Sequence, residues 1–275
     1  MLKKHIYTFE AMSTPCELIL YAEHKEKADN AAKAVLQETK RLEKKYNYYD
    51  KTSLLSQLNL RETDHIDRET KELLQRAKQY YKLTHGIFDI TVATIKDLYT
   101  TQTTEESLQT EKEKLLAHVG CEHFSLKKEK LHFDNPFTKI DLGGFVKEYA
   151  VDRAVSVLKR YKILSALVNY GGDIYALDKK PDGTPFVVGI KDPRNPSEHK
   201  KMVALENQAL TTSASYERHY QIEGHLYSHI ISTKSKTSVA NSVSVISQSC
   251  VESGIYSTAL MIDKDIETNN QVILL

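Results

Sequence analysis

The chain contains no tryptophan, and only six prolines and ten glycines among its 275 residues. So few breakers exclude a collagen-like or proline-rich architecture and leave room for long regular elements. The three cysteines, Cys16, Cys121 and Cys250, are far apart and odd in number. They form no metal or redox motif and argue against a disulfide framework. Charge of one sign is missing as well: 38 Lys and Arg stand against 37 Asp and Glu, a formal net charge of +1. That balance gives no electrostatic footprint for nucleic acid or an anionic membrane. No apolar run approaches the ~18 residues that span a bilayer. The start, MLKKHIYTFEAM, has basic residues but lacks the apolar segment of an export signal. The compartment therefore stays open between the cytoplasm and an exported location whose leader has been removed.

What is present is the composition of a soluble globular protein, 40% apolar and 27% charged, enough for a sizeable buried core in one large domain or two modest ones. The stretch Lys139–Arg160, KIDLGGFVKEYAVDRAVSVLKR, organises the rest. Lys139 to Leu142 reads as a short strand, Gly143-Gly144 as a tight turn, and the spacing of Phe145, Tyr149, Ala150, Ala154, Val157 and Leu158 as a helix. Glycines remove the Cβ obstacle and a helix start offers N–H groups and partial positive charge, so this is a way to bring backbone to a phosphorylated ligand. Strand, Gly-Gly and helix is also an ordinary packing unit, so the pattern needs support from elsewhere.

Taken in order, Glu17–Ala22 is a strand after a polar turn at Ser13-Thr14-Pro15, and His24 to Tyr46 is a long amphipathic helix. Three tyrosines, Tyr46, Tyr48 and Tyr49, cluster before a short helix ending at Asn59, either as loop packing or as a platform for a planar ligand. A second amphipathic helix, Asp67 to Thr84, stops at His85-Gly86. Thr103 to Val119 reads as a surface helix and Phe124 to Phe133 as a hairpin. Leu164–Val168 runs as a strand into a second glycine pair, Gly171-Gly172, and Ile174–Leu177 leaves it as another. Further strands are expected at Phe186–Ile190, Ala209–Ser213, Tyr216–Ile222, Tyr227–Ile231 and Val243–Ile246. A final helix from Cys250 to Met261 ends the ordered pattern. With no linker and no repeat, the chain reads as one α+β, or mixed α/β, domain with central mixed sheets flanked by helices and a smaller helical lobe near residues 60–115.

The ordered set AMSTPCEL, YYDKTSLLSQLN, GIFDITV, IDLGGFVKEYAVD, VNYGGDIYAL, GIKDP, LTTSASYERHY, SHII and STALMI resembles the ApbE family of flavin transferases from Met12 to about Ile262. The resemblance implies an enzyme that cleaves the pyrophosphate of FAD with Mg²⁺ and attaches FMN through a phosphoester to a Ser or Thr of an acceptor flavoprotein. A minority of the family are similar to FAD pyrophosphatases. It places FAD along Met12, Tyr49, Leu98, Tyr99, Thr100, Asp141, Lys147, Asn169, Gly171, Gly172, Thr212, Ser213 and Ile231. By the same resemblance the Gly144 carbonyl and Thr258 face the metal, and His229 is the candidate general base.

The chain departs from the family pattern at four places. The Asp four residues before Thr258 is Gly254, and KGYA reads Lys147-Glu148-Tyr149-Ala150. HIIDP becomes His229-Ile230-Ile231-Ser232-Thr233, and the glycine after the TTS of residues 211–213 is Ala214. Mg²⁺ prefers hard oxygen ligands that usually include a carboxylate, so Gly254 points to a weakened metal site. Asp173 is one carboxylate that would complete it. The departures sustain an alternative of a different class, a protein that holds FAD without transferring it.

Overall fold

The computed structural model describes the chain except for residues 101–102, 193–194, 215–218, 229–230, 232 and 234–240. Its strands are β1 (Lys3–Ala11), β2 (Thr14–Ala22), β3 (Phe124–Lys127), β4 (Lys130–Phe133), β5 (Ser165–Tyr170), β6 (Asp173–Leu177), β7 (Phe186–Asp192), β8 (Asn195–Leu205), β9 (Gln208–Ala214), β10 (His219–Ile222), β11 (His225–Ser228), β12 (Ser242–Ser247) and β13 (Gln271–Leu274). The helices are α1 (Lys25–Tyr46), α2 (Leu54–Asn59), α3 (Arg68–Leu83), α4 (Ala93–Lys96), α5 (Glu105–Leu116), α6 (Gly143–Arg160) and α7 (Cys250–Ile262).

A seven-stranded sheet, in the order β1-β2-β5-β6-β9-β12-β13, forms the centre. Every pairing within it is antiparallel, so the fold is α+β. Its two faces are covered differently. One receives α1 and α6, whose Ala28, Val35, Leu42, Phe145, Val151 and Leu158 join Leu18, Leu20 and Val168 of the sheet in the main core. The other receives the β7–β8 hairpin, which buries Phe186, Val188 and Leu205 against Ile174, Leu210 and Ile246. Coverage on both faces explains why β6 and β12 are buried along their whole length.

The expected helices form within a few residues of their expected bounds. Asp67 caps α3 by accepting from the Thr70 N–H, and Ser249 caps α7 by accepting from Glu252. Three strands, β1, β8 and β13, lie outside the expected set: β1 and β13 are the sheet's edges, and β8 pairs with β7 in a separate two-stranded sheet. β1 and β8 are rich in charge, and β13 is four residues long, so the hydrophobic signal of a covered strand is weak there.

Lys139–Leu142 is not a strand. It is an irregular segment held by other elements. Asn59 makes two bonds to Ile140, donating to its carbonyl and accepting from its N–H, at 2.8 and 2.9 Å. The Asp141 N–H donates to the Ile90 carbonyl at 2.8 Å. Side chains and loops satisfy this backbone where a sheet neighbour was expected.

A charge cluster fastens α3 to α1. Arg41 and Lys45 of α1 each reach Glu69 at 2.7 Å, and Lys45 reaches Asp67 at 2.5 Å. Burial works to raise the Glu69 carboxyl, but Arg41 and Lys45 outweigh it and bring it down to about 2. A folded-state value below the unfolded value of about 4.3 stabilises the fold above that pH and ceases to do so as pH falls towards 2. In thermal unfolding from pH 7 to pH 2, wild type should therefore lose more of its Tm below about pH 4.5 than Glu69→Gln does. Parallel curves for the two proteins would show that the clamp contributes nothing.

Candidate active site at one end of the sheet

Two turns meet at one end of the sheet. β1 and β2 are joined by Met12 and Ser13, with φ of 53° and 56°. Two successive left-handed residues make the tight hairpin turn that matches strand twist. Neither is glycine, so each carries strain of about 1–2 kcal/mol. The Met12 N–H donates to the Glu43 carboxylate of α1, which holds the strained residue in place. Beside it, β5 turns into β6 through Gly171 and Gly172, with φ of 60° and 99°. The Gly171 N–H donates to the Pro15 carbonyl at 2.9 Å and the Gly172 N–H to Asn169 Oδ1 at 2.9 Å. A Cβ at Gly171 would lie 1.9 Å from Thr14 Oγ1. The second glycine pair thus serves close approach between two turns.

Helix α6 brings charge to this end. Its first residues are Gly143 and Gly144, and Gly144 departs from helical geometry at φ −87°, ψ 18° with open space where a Cβ would be. Asp141, just before it, accepts from the Gly143 N–H at 2.8 Å and pairs with Lys96 of α4 at 2.5 Å, both side chains being mostly buried. Burial alone would lower the Lys96 ammonium, but Asp141 outweighs it and raises it. The same ammonium lies 4.6 and 4.8 Å from the ring centres of Tyr48 and Tyr49. Tyr48 donates to Asp97 at 3.0 Å, whereas Tyr49 is 76% exposed and presents its ring to solvent. One turn into α6, Lys147 pairs with the buried Asp173 at the head of β6, at 2.5 Å. Burial is again outweighed, and the Lys147 ammonium is raised.

Between α6 and α7 the carboxyl group of Glu148 is buried, with 6% exposure. Burial first, and then the negative field of Asp173, pushes it up to about 8. Its Oε2 accepts no hydrogen bond from the described residues. A Cβ placed on Gly254 would lie 2.6 Å from Glu148 Cγ and 3.1 Å from Cδ and Oε1. Thr258, one turn beyond Gly254, is 3.2 Å from Ser213 Oγ of β9, which also bonds Ser257 at 2.8 Å. Glu252 points elsewhere, accepting from Asn270 at 3.1 Å. Among the described residues no group of three or more His, Cys, Asp and Glu forms a metal cluster.

The expected site residues divide among four places, with Thr100 apart from them. Asn169, Gly171, Gly172 and Thr212 line a cleft of about 770 Å³ on the hairpin side of the sheet. Lys147, Ser213 and Thr258 lie on the helical side. Tyr49 and Asp141 gather around Lys96. Leu98 and Ile231 pack on a small apolar cluster whose centre is Tyr99, itself 8% exposed and seated against the rings of Tyr220 and Tyr227 at 5.6 and 5.8 Å. Thr100 is exposed and bonds Thr103. His229 lies outside the described residues. Sequence reasoning missed Lys96, whose surroundings carry no motif, and it treated Glu148 and Gly254 as separate departures when they touch.

The profile of the ApbE family matches residues 12–271. The chain belongs to the ApbE family. A relative from Chlamydia pneumoniae named FAD:protein FMN transferase is 28% identical over 236 residues, 81% of this chain and 73% of its own. One of the same name from Vibrio cholerae is 26% identical, with 78% and 67% covered. The solved ApbE protein of Thermotoga maritima superposes with a TM-score of 0.84 at 27% identity, covering 94% of this chain and 87% of that one. The apo flavinyl transferase ApbE of Pseudomonas stutzeri gives a TM-score of 0.81 at 22% identity, covering 95% and 86%, a likeness of fold.

The tight approach of the two turns yields a test of this ApbE site. Gly171→Ala should cost about 2–4 kcal/mol, from left-handed strain together with the displaced Thr14 side chain. Adding Thr14→Ala should recover part of that loss. Denaturant unfolding of the two single variants and the double checks it: strictly additive effects would rule out the contact.

Proposed function

We propose that this protein is an FAD:protein FMN transferase, which splits FAD and joins FMN through a phosphoester to a Ser or Thr hydroxyl of an acceptor flavoprotein. The observation that carries this reading is the arrangement around α6. An uncrowded Gly144 at a helix start, the half-buried Lys147 and the Lys96–Asp141 pair beneath an exposed tyrosine ring all involve α6 or its approach. FAD needs these features: donors and cations for a dianionic pyrophosphate, and a flat apolar surface for a ring. Relatives that carry the activity in their names support it.

In the proposed step the acceptor hydroxyl oxygen attacks the phosphorus on the FMN side of the pyrophosphate. The bond from that phosphorus to the bridging oxygen breaks, AMP leaves with the bonding pair, and the hydroxyl proton passes to a base, for which we propose His229. Most of the catalytic work is positioning, because two reactants must be held in line. Mg²⁺ bound here would neutralise charge on the phosphate oxygens. The donors fit a hard cation: the Thr258 hydroxyl, the Gly144 carbonyl and a buried carboxyl oxygen with no partner among the described residues. Met12, Asn169, Gly171, Gly172, Thr212 and Ser213 would frame FAD at the sheet end, with Leu98, Tyr99, Thr100 and Ile231 along its margin.

A second reading, retention of FAD without transfer, rests on Gly254. One experiment separates them. An acceptor domain incubated with the protein, FAD and Mg²⁺ should gain the mass of one FMN-phosphoryl unit, and EDTA should abolish the gain. Lys96→Met should weaken FAD binding about tenfold or more, since it leaves Asp141 mostly buried without its cation. His229→Ala should cut transfer while leaving FAD bound. Unmodified acceptor with intact FAD would favour retention, and unmodified acceptor with free FMN and AMP would favour hydrolysis.

A further inference from the structure

Glu148 and Gly254 sit on different helices, and each explains the other. Glu148 is 6% exposed, yet its Oε2 accepts no hydrogen bond from the described residues. A buried carboxyl oxygen left in this way is costly, and it persists where something else engages it. The neighbouring cation does not do so, because Lys147 Nζ pairs with Asp173 at 2.5 Å. The nearby Asp152 is occupied in a different task, accepting from the N–H groups of Cys250 and Val251 at 2.8 and 3.2 Å. On the facing helix, Gly254 offers the only kind of surface that admits the Glu148 side chain, since a Cβ there would lie 2.6 Å from Glu148 Cγ. The Glu148 carboxyl group therefore occupies the space into which a side chain at position 254 would project.

The spacing along both helices gives this carboxyl group its companions. Gly144 precedes Glu148 by four residues, at the start of α6 where the backbone departs from helical geometry. Thr258 follows Gly254 by four residues and shares that face of α7. A carboxylate, a hydroxyl and a backbone carbonyl are hard oxygen donors, the set that Mg²⁺ takes when phosphate oxygens of a ligand and water complete its shell. Such a site contains one carboxylate.

We propose that Glu148 supplies from α6 the carboxylate that position 254 lacks on α7, so that a divalent cation of the Mg²⁺ class is held by Glu148, Thr258 and the Gly144 carbonyl. The inference rests on the transferase reading for the identity of its ligand, but it is tested by metal binding. Two departures from the family pattern then become one relocation of charge. Asp173 is not the replacement, because it is engaged by Lys147.

The probe is Mn²⁺, titrated into the full chain with and without FAD and followed by the loss of the free-ion electron paramagnetic resonance signal, with Mg²⁺ as competitor. Wild type should bind one Mn²⁺ that Mg²⁺ displaces. Glu148→Gln, which keeps the side chain's shape against Gly254, should weaken binding at least tenfold and abolish the rise in Tm that Mn²⁺ gives wild type. Gly254→Asp alone should not improve binding, since the new side chain collides with Glu148. The exchange Glu148→Gly with Gly254→Asp should return affinity to within a few-fold of wild type, and it guards against a fold defect in the single variants. Wild-type affinity in Glu148→Gln, or no saturable Mn²⁺ binding with or without FAD, would overturn the proposal. Transfer of FMN by a protein whose metal affinity ignores Glu148 would sink this inference and leave the transferase reading standing. Glu148-dependent Mn²⁺ binding without transfer would do the reverse.

Discussion

Helix α6 carries charge into the interior, and those charges fix where everything else at the site must lie. Its Lys147 is tied to Asp173 at the head of β6. Its Asp152 accepts from the first two N–H groups of α7, which α7 cannot satisfy within itself. Asp152 is mostly buried, and burial pushes its carboxyl up to about 6 against the pull of those two donors. A charged group in such a place is tolerated only with its partners in position, so displacing α6 relative to β6 or α7 leaves several polar groups unpaired at once. Apolar packing of α6 on α1 and the sheet supplies most of the attraction. The buried polar contacts select the one register in which Gly144, Lys147 and Glu148 face the end of the sheet.

That end is strained, and the strain is offset locally. Met12 and Ser13 take left-handed conformations without being glycine, and the Met12 N–H is held by Glu43 from α1. The adjacent turn uses glycines, where any side chain at Gly171 would meet Thr14. The two turns therefore constrain each other: the first packs closely because the second has no side chain, and the second is fixed by the bond from Gly171 to the Pro15 carbonyl. Strained backbone persists where the surroundings over-determine it. Here those surroundings are α1, through Glu43, and the neighbouring β5–β6 turn, through Gly171.

Much of this was legible in the sequence, and what was not has physical causes. Helical periodicity located α1 and α3, because each buries one face against a continuous core; α6 and α7 are buried over much more of their surface. The second Gly-Gly pair marked a close backbone approach, since few residues other than glycine fit φ near +60° or +100°, whereas Gly143 and Gly144 open α6 without a positive φ. The strand expected at Lys139–Leu142 failed because an apolar-alternating segment looks the same whether its backbone bonds run to a sheet or to Asn59, Ile90 and Thr94. Tyr99 is read from sequence as an aromatic near a ligand, but in the fold it is the centre of a small core with Tyr220 and Tyr227. Lys96 escaped notice because its importance comes from Asp141, Tyr48 and Tyr49, which are distant in sequence and adjacent in space.

The pair Glu148 and Gly254 shows why a motif read position by position misjudges a site. Taken singly, a missing Asp on α7 is a lost ligand, and a Glu in place of a small residue on α6 is an obstruction. The contact between them changes both meanings, because the volume that admits Glu148 exists only when position 254 has no side chain. Steric exclusion makes the two carboxylate placements alternatives, since both side chains cannot fill one space at interior packing density. Electrostatics reinforces this, as two carboxylates in contact within a buried crossing would repel, and one of them would be held neutral. Glu148 fills the α6–α7 crossing because position 254 has no side chain, while the other α6 carboxyl there, Asp152, is taken up by the N–H groups of Cys250 and Val251. On the proposal above, α6 delivers to this point the hard oxygen donor that α7 lacks.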